Sequence, residues 1–475
     1  MEGKEPGSRA WRPALGLPAI FQLALAIFTV CFLIQQLRPP PSNASYDRAM
    51  DRRRERGQDQ DQEDQETRLS NILFGIGAAS SVLERRKDFI KAWWRPGQTR
   101  GFVFVDQPPP LAESFWDNSS LPELRISEST ARFRYTFPRG RRSAIRISRI
   151  VSEMFRMGLP GVRWFVLGDD DTVFFVDNLA RVLAKYDHTK FFYVGSSSEN
   201  HLQNVRGFSS FMAYGGGGFA ISYALAEALA AMQDDCLERY HFLYGSDDRI
   251  QACMAELGVQ LTREPGFHQL DVLGDASGLL AAHPIAPALS LHHLNVIHPL
   301  FPNATQRQSI NRLFSAARID PAGIFQQSIC YDRHRNFSIQ VSWGYLVQVS
   351  QELISPRILE LPLRTFVGWY GERSELSFPF KTRALPVDLC QRPVRFYMES
   401  VKSSSNGSGI SVSNYVKSEA PAAAACSSWL GIETILVDKE ASDESWYKAL
   451  RRQCCKILES REGGGVVRLE IRQCS

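Results

Sequence analysis

The chain has 475 residues, 44% of them hydrophobic and 22% charged, with 33 Gly and 25 Pro. This balance excludes a collagen-like, coiled-coil or wholly disordered protein. The 55 Lys plus Arg against 51 Asp plus Glu leave a formal net charge of +4, too even for a chain whose main work is neutralising phosphate, so no nucleic-acid partner is expected.

Residues 1–12 read as a short cytosolic tail. The 25 residues 13–37 carry no charge; as a helix they would reach about 37 Å, enough to cross about 30 Å of hydrocarbon. A cleaved signal peptide is the alternative, but its apolar core is usually about 7–15 residues and ends at small residues. Here the run ends at Gln35-Gln36-Leu37-Arg38. More positive charges follow the span than precede it, which by itself would place the N-terminus outside. Five glycosylation sequons argue otherwise: all follow the span, at Asn43, Asn118, Asn303, Asn336 and Asn406, and they matter only in a secretory lumen. The expectation is an N-terminal transmembrane signal anchor and a luminal body. Apart from Cys31 in the span there are eight cysteines, and Cys236 with Cys253 is the one pair their spacing suggests.

Residues 38–68 are Pro, Gln, Asp, Glu and Arg with almost no large apolar side chain, and read as a disordered stalk. From Leu69 the segment LSNILFGIGAAS predicts a strand and a turn, Ser81 with Glu84 a capping box for a helix towards Trp93-Trp94, and residues 101–106 a second strand. Residues 139–157 predict a basic amphipathic helix, and residues 162–167 a strand ending in Gly168-Asp169-Asp170-Asp171-Thr172. Asp177 is placed to cap a helix over 178–186, residues 190–194 are a strand, and Ser222 starts a helix through 232. Strands alternating with helices predict an α/β fold, an open and largely parallel sheet that binds ligands at the carboxyl ends of its strands. After about residue 311 the helical pattern fades into aromatic-rich segments, read as a mainly β extension over 311–475 behind a catalytic domain over 69–310.

Three consecutive carboxylates after a buried strand repel one another unless a cation or hydrogen-bond donors compensate them. Asp169, Asp170 and Asp171 are therefore a candidate metal and donor site, the bland reading being a solvated acidic turn. Gly215, Gly216, Gly217 and Gly218 let backbone approach a ligand and donate N–H groups to it, though a flexible turn would read the same. They fit neither GxGxxG nor a P-loop. Asp247 and Asp248 open a helix; one suits the helix dipole, and the other is free to act as a base. Of the histidines, His293 is the first choice and His292 the second to complete the coordination of a carboxylate-bound ion.

The ordered motifs WFVLGDDDTVFF, YGGGGFAIS, CLERYHFLYGSDDRIQAC and LSLHHL, behind a signal anchor and a basic helix, resemble Fringe and the inverting β-1,3-glycosyltransferases of glycosyltransferase family 31. They are most similar to the plant-type Fringe-related branch long filed as a domain of unknown function, echoed in ELGVQLTREPGFHQLDVLGD and QQSICYD. The resemblance covers about residues 69–380. It implies a GT-A (Rossmann-like) fold, a UDP-sugar donor, Mn2+ or Mg2+, a glycan or glycoprotein acceptor, and a Golgi type II membrane enzyme with a luminal catalytic domain. By that resemblance Asp171 binds the metal with His292 or His293, and Asp169 and Asp170 contact the donor. The four glycines form the sugar-side turn, Arg146 joins the donor-binding group, and Asp248, or Asp247, deprotonates the acceptor. Rival readings are a catalytically inactive sugar-binding or scaffold protein and a metal-dependent phosphohydrolase.

Overall fold

The computed structural model describes residues 66–109, 115–404, 409–418, 431–460 and 465–474. Past Glu66 they belong to one compact unit, Thr67–Ser475. The expected tail, the anchor over 13–37 and nearly all of the stalk lie outside the described residues, as do Cys31 and Cys426. Among the described residues no helix is long and apolar enough to cross a membrane.

The architecture is mixed α/β. The strand Ile72–Gly77 has all six residues buried, as an unbroken apolar run should when helices cover both faces of a sheet. It pairs in parallel with Arg100–Val105 on one side and Trp164–Asp169 on the other. Phe74, Ile76 and Trp164 enter the core on one face, while Leu73, Phe102 and Phe165 enter the core on the other. The seven-stranded sheet runs Glu123–Ile126, Arg100–Val105, Ile72–Gly77, Trp164–Asp169, Phe219–Ser222, Tyr193–Gly195, Leu261–Arg263. The first four strands are parallel, and Phe219–Ser222 runs against both of its neighbours.

Several local expectations change. The helix Leu83–Trp93 forms, but its N-cap is Val82 without a side-chain bond, because the preceding turn closes through the Val82 N–H to Ala79 O at 3.1 Å. The basic helix splits at Arg149 into Ser143–Ser148 and Ile150–Arg156. Arg149 is buried and donates to Asp234 Oδ1 at 2.9 Å and Glu128 Oε2 at 2.8 Å, so this cation serves packing and is not part of a solvated face. Asp177 does not cap the helix Val176–Leu183; it accepts both arms of Arg95 at 2.7 and 2.5 Å. The helix after Ser222 is longer than expected, Tyr223–Arg239, and the disulfide Cys236–Cys253 ties it to the helix Ser246–Glu256.

Helical structure also persists past residue 311. Gln306–Ala317 is a helix capped by Thr305. The chain then builds an eight-stranded sheet whose first strand in sequence is Gln327–Asp332 and whose last is Val466–Arg472. Cys330–Cys455 and Cys454–Cys474 are bonded within it. One hydrophobic cluster extends from Ile72 in the first sheet to Ile471 in the second, so the two sheets share a core.

Candidate active site

The strand Trp164–Asp169 ends at the carboxyl edge of the sheet, and its last residue begins the acidic turn. Thr172 closes that turn: its N–H donates to Asp169 O at 3.0 Å, and its hydroxyl accepts the Asp169 N–H at 2.9 Å. The same hydroxyl donates to Gly216 O at 2.6 Å, locking the acidic turn to the glycine turn. A three-stranded ribbon then brings in the histidine. Ser290–Leu291 pairs antiparallel with Val173–Phe174, just beyond the Asp triplet, and parallel with Phe267–His268. This places the next residue, His292, over the carboxylates.

His292 Nε2 lies 3.1 Å from Asp171 Oδ1 and 3.8 Å from Asp169 Oδ2. Asp169, Asp171 and His292 each offer one ligand atom, all within 4.8 Å of one another. Two carboxylates and an imidazole suit a divalent ion such as manganese. His293, the first choice from the sequence, is not in this group. Its backbone is left-handed, φ 49°, its Nδ1 lies 3.1 Å from Asp271 Oδ1, and its ring stacks on Trp369 at 4.5 Å and 14°. The two imidazoles lie side by side, 3.9 Å between centroids, but at the left-handed step His293 directs its nitrogen to Asp271 while His292 Nε2 faces the acidic turn.

The charges at the site are strongly coupled. Burial works against ionising Asp171, but the His292 hydrogen bond and the positive charges of His292 and Arg86 hold it well below the usual carboxylate range. Burial likewise opposes charge on His292, and Asp171 and Asp169 outweigh it, raising the imidazole. Enclosure and the charges of Asp171, Asp247 and Asp170 push Asp169 up to about 7, although 40% of its side chain is open to solvent. Burial and Asp171 push Asp170 up to about 6. Arg86, on the helix Leu83–Trp93, pairs with Asp171 and stands 3.9 Å from Asp170. The sequence reading missed it. Its signal was position: Leu83, Ile90 and Trp93 are buried on that helix, and Arg86 shares their stripe at i+3, i−4 and i−7.

The glycine turn has a different cause from the one expected. Gly215 N–H donates to Asp247 Oδ2 at 2.9 Å, Gly217 N–H to Gln269 Oε1 at 2.5 Å, and Gly218 N–H to Gly215 O at 3.0 Å, so three of the four amides serve the protein. A Cβ on Gly216 would sit 2.1 to 2.6 Å from the His292 ring, and Gly218 has φ 83°. Glycine is required here because the turn packs against the candidate metal ligand and must take a left-handed step.

Asp247 and Asp248 lie in the first turn of Ser246–Glu256. Asp247 accepts from Gly215 and from Ser246 Oγ at 2.8 Å, and its charge reaches Asp169. Asp248 has no hydrogen-bond partner for its carboxylate among the described residues, and burial raises its pKa. Burial raises Asp247 as well, against the bonds from Gly215 and Ser246, so the two carboxylates differ in their hydrogen bonds and not in the direction of their shift. Arg146, expected among the donor-binding residues, is buried, with Nη1 on Phe104 O at 2.9 Å and Nη2 on Ala78 O at 2.7 Å. It pins the carboxyl ends of two neighbouring strands, Ile72–Gly77 and Arg100–Val105, and acts on the site through its charge on Asp169 and Asp170. The segment past residue 311 also reaches the site: besides Trp369 on His293, Glu372 Oε1 accepts from Asn200 at 3.3 Å, and Tyr370 donates to Gln203 Oε1 at 3.3 Å.

A sequence search of curated proteins finds no match. Among solved structures the chain is similar to mouse xyloside xylosyltransferase 1 in its apo form, at 8% identity and a TM-score of 0.28, over 41% of this chain and 85% of that one. The family model described as "Protein of unknown function, DUF604" matches residues 203–455, which are 253 of the 475 residues. The matched span contains the glycine turn, the Asp247-Asp248 pair, His292 and most of the second sheet, and the chain belongs to this DUF604 family.

Proposed function

We propose that this protein is a glycosyltransferase of the GT-A type, acting with inversion on a UDP-sugar in the Golgi lumen and anchored by residues 13–37 as a type II membrane protein. The observation that carries the reading is the grouping of Asp169, Asp171 and His292 at the carboxyl end of a central strand, with the unengaged Asp248 on the helix that braces the adjoining glycine turn. Support for a luminal body comes from Asn118, Asn303 and Asn336, all exposed.

Asp171, His292 and Asp169 would hold a divalent cation, manganese or magnesium. Such an ion, when bound, supplies Lewis-acid stabilisation of a departing pyrophosphate. Asp170, with Arg86 beside it, and the glycine turn would shape the donor pocket. Asp248 accepts the proton of an acceptor hydroxyl as its oxygen bonds to the anomeric carbon; the bond from that carbon to the nucleoside diphosphate breaks on the opposite face. The product would be a glycan extended by a hexose or N-acetylhexosamine, with β-1,3 linkage. A panel of nucleotide sugars offered to the purified full chain, with and without manganese, tests this. Metal-dependent release of nucleoside diphosphate from at least one donor is expected, and its absence across the panel would overturn the proposal.

One observation favours a second reading. Arg86 already neutralises Asp171 as a metal would, which suits an inactive sugar-binding protein of the same fold. Manganese-dependent donor turnover decides against it.

A further inference from the structure

Beside Asp248 the surface is aromatic in a way the metal site does not require. Tyr214, just before the glycine turn, meets Phe208 at 5.7 Å between ring centroids; Phe208 meets Tyr244 at 6.1 Å, and Tyr244 meets Phe137 at 5.2 Å. Tyr214 is buried, Phe208 is half-buried, and Tyr244 and Phe137 are 50% and 38% exposed, so the row runs from the site out to solvent. Its inner end is close enough to Asp247, Asp248 and Asp271 for their charges to act on the Tyr214 hydroxyl.

The row is held in place. Tyr135 Oη donates to Tyr244 O at 3.0 Å, the Thr136 N–H to His241 O at 3.1 Å, and the Gly140 N–H closes a turn on Phe137 O at 3.2 Å. Two independent chain segments, residues 135–140 and 241–245, are thus joined to present Phe137 and Tyr244 together. The Tyr214 hydroxyl, buried at the inner end, has no hydrogen-bond partner, although a buried hydroxyl ordinarily has one. Tyr370, 60% exposed, donates to Gln203 Oε1 at 3.3 Å.

The rings meet at 78°, 50° and 64°, edge to face or tilted, so the row braces its two exposed members, Phe137 and Tyr244. These open rings, one buried hydroxyl left unpaired and a carboxylate at the inner end match a ligand with an apolar C–H face, a hydroxyl rim and one hydroxyl to be deprotonated. A pyranose has these features. An aliphatic ligand would leave the Tyr214 hydroxyl and Asp248 desolvated and unpaired, which is costly. We infer that the exposed rings of Phe137 and Tyr244, backed by Phe208 and Tyr214, form the acceptor platform, against which pyranose rings of a glycan pack while the reacting sugar's hydroxyl reaches Asp248. The inference rests on the transferase reading for the role of Asp248, and on the aromatic row alone for glycan binding.

Binding of the full chain to an array of oligosaccharides with hexose, deoxyhexose and N-acetylhexosamine termini tests it, alongside manganese-UDP affinity. At least one glycan is expected to bind. Tyr244→Ala and Phe137→Ala should each weaken it tenfold or more, Tyr244→Phe should stay within about twofold of the native chain, and nucleotide affinity should not move. Where transfer is measurable, the two alanine variants should raise acceptor KM far more than they lower kcat. No glycan bound by the native chain, or alanine variants that bind like it, would overturn the platform. Aromatic-dependent glycan binding in a chain that neither binds manganese-UDP nor consumes any nucleotide sugar would uphold the platform and remove the transferase reading.

Discussion

His292 Nε2 lies 3.1 Å from Asp171 Oδ1, while the neighbouring His293 turns to Asp271 and Trp369. Substitution should therefore separate the pair. His292→Ala is expected to weaken manganese binding by roughly tenfold or more, because a tridentate set becomes bidentate, and His293→Ala to leave it within about threefold. Titration calorimetry with manganese on the full-length protein reads both values, and equal losses would refute the assignment.

The His292 ring lies where a Cβ on Gly216 would have to be, 2.1 Å from its nearest atom. Gly216→Ala should displace the imidazole and reduce metal affinity about as much as His292→Ala does. Native-like circular dichroism would show that the fold survives. An unchanged manganese isotherm in this variant would mean that His292 is not held by the turn.

Asp247 is committed to the glycine turn and Asp248 is not. Asp248→Asn should therefore lower kcat by about 100-fold or more, the usual range for losing a positioned base, with donor affinity intact. Asp247→Asn should loosen the turn and raise donor KM as well. Steady-state kinetics with the donor found by the panel distinguish them, and full turnover by Asp248→Asn would exclude it as the base.

Glu153 gives a pH signature away from the site. Burial pushes it up from 4.5 to about 7, against Glu128's amide and the charges of Arg149 and Arg156. Between those values the folded chain holds a proton that the unfolded chain has lost, so this contribution to stability is present below about 4.5 and is lost as pH rises through 7. Glu153→Gln cannot ionise. Its melting temperature should gain on that of the native chain between pH 5 and pH 8, by the equivalent of roughly 1–3 kcal/mol. A gap independent of pH would show that Glu153 stays charged when folded.

Asn303 and Asn336 are exposed and left-handed, at φ 57° and 58°. If the body is luminal, Asn303→Gln and Asn336→Gln should each remove one endoglycosidase-sensitive increment of about 2–3 kDa on a gel, the mass of one N-linked core glycan. Native protein from a secretory host that carries no glycan at any sequon would count against a luminal body.

Much of the fold was legible because periodicity and punctuation are local properties. ILFGIG reads as a doubly buried strand, and the run before Asp169 reads as a strand ending in an acidic turn, since a continuous apolar stretch of that length has few other uses. The links between distant segments were not legible. Arg86 meets Asp171 across the fold, and Trp369, far along the chain, covers His293. The basic run over 139–157 turned Arg146 and Arg149 inward because their partners, Asp234, Glu128 and the carbonyls of Ala78 and Phe104, come from other elements.

The linear order of residues determined which groups could do chemistry here: an acidic turn after a strand, four small residues in a row, a carboxylate pair opening a helix, and two neighbouring imidazoles. Tertiary structure alone decided which imidazole faces the acids, which carboxylate stays unengaged, and why the small residues are small. Those choices depend on the direction of a side chain and on what packs against it. Direction at His292 is set by a ribbon that joins residues more than a hundred positions apart, a register that no local pattern encodes.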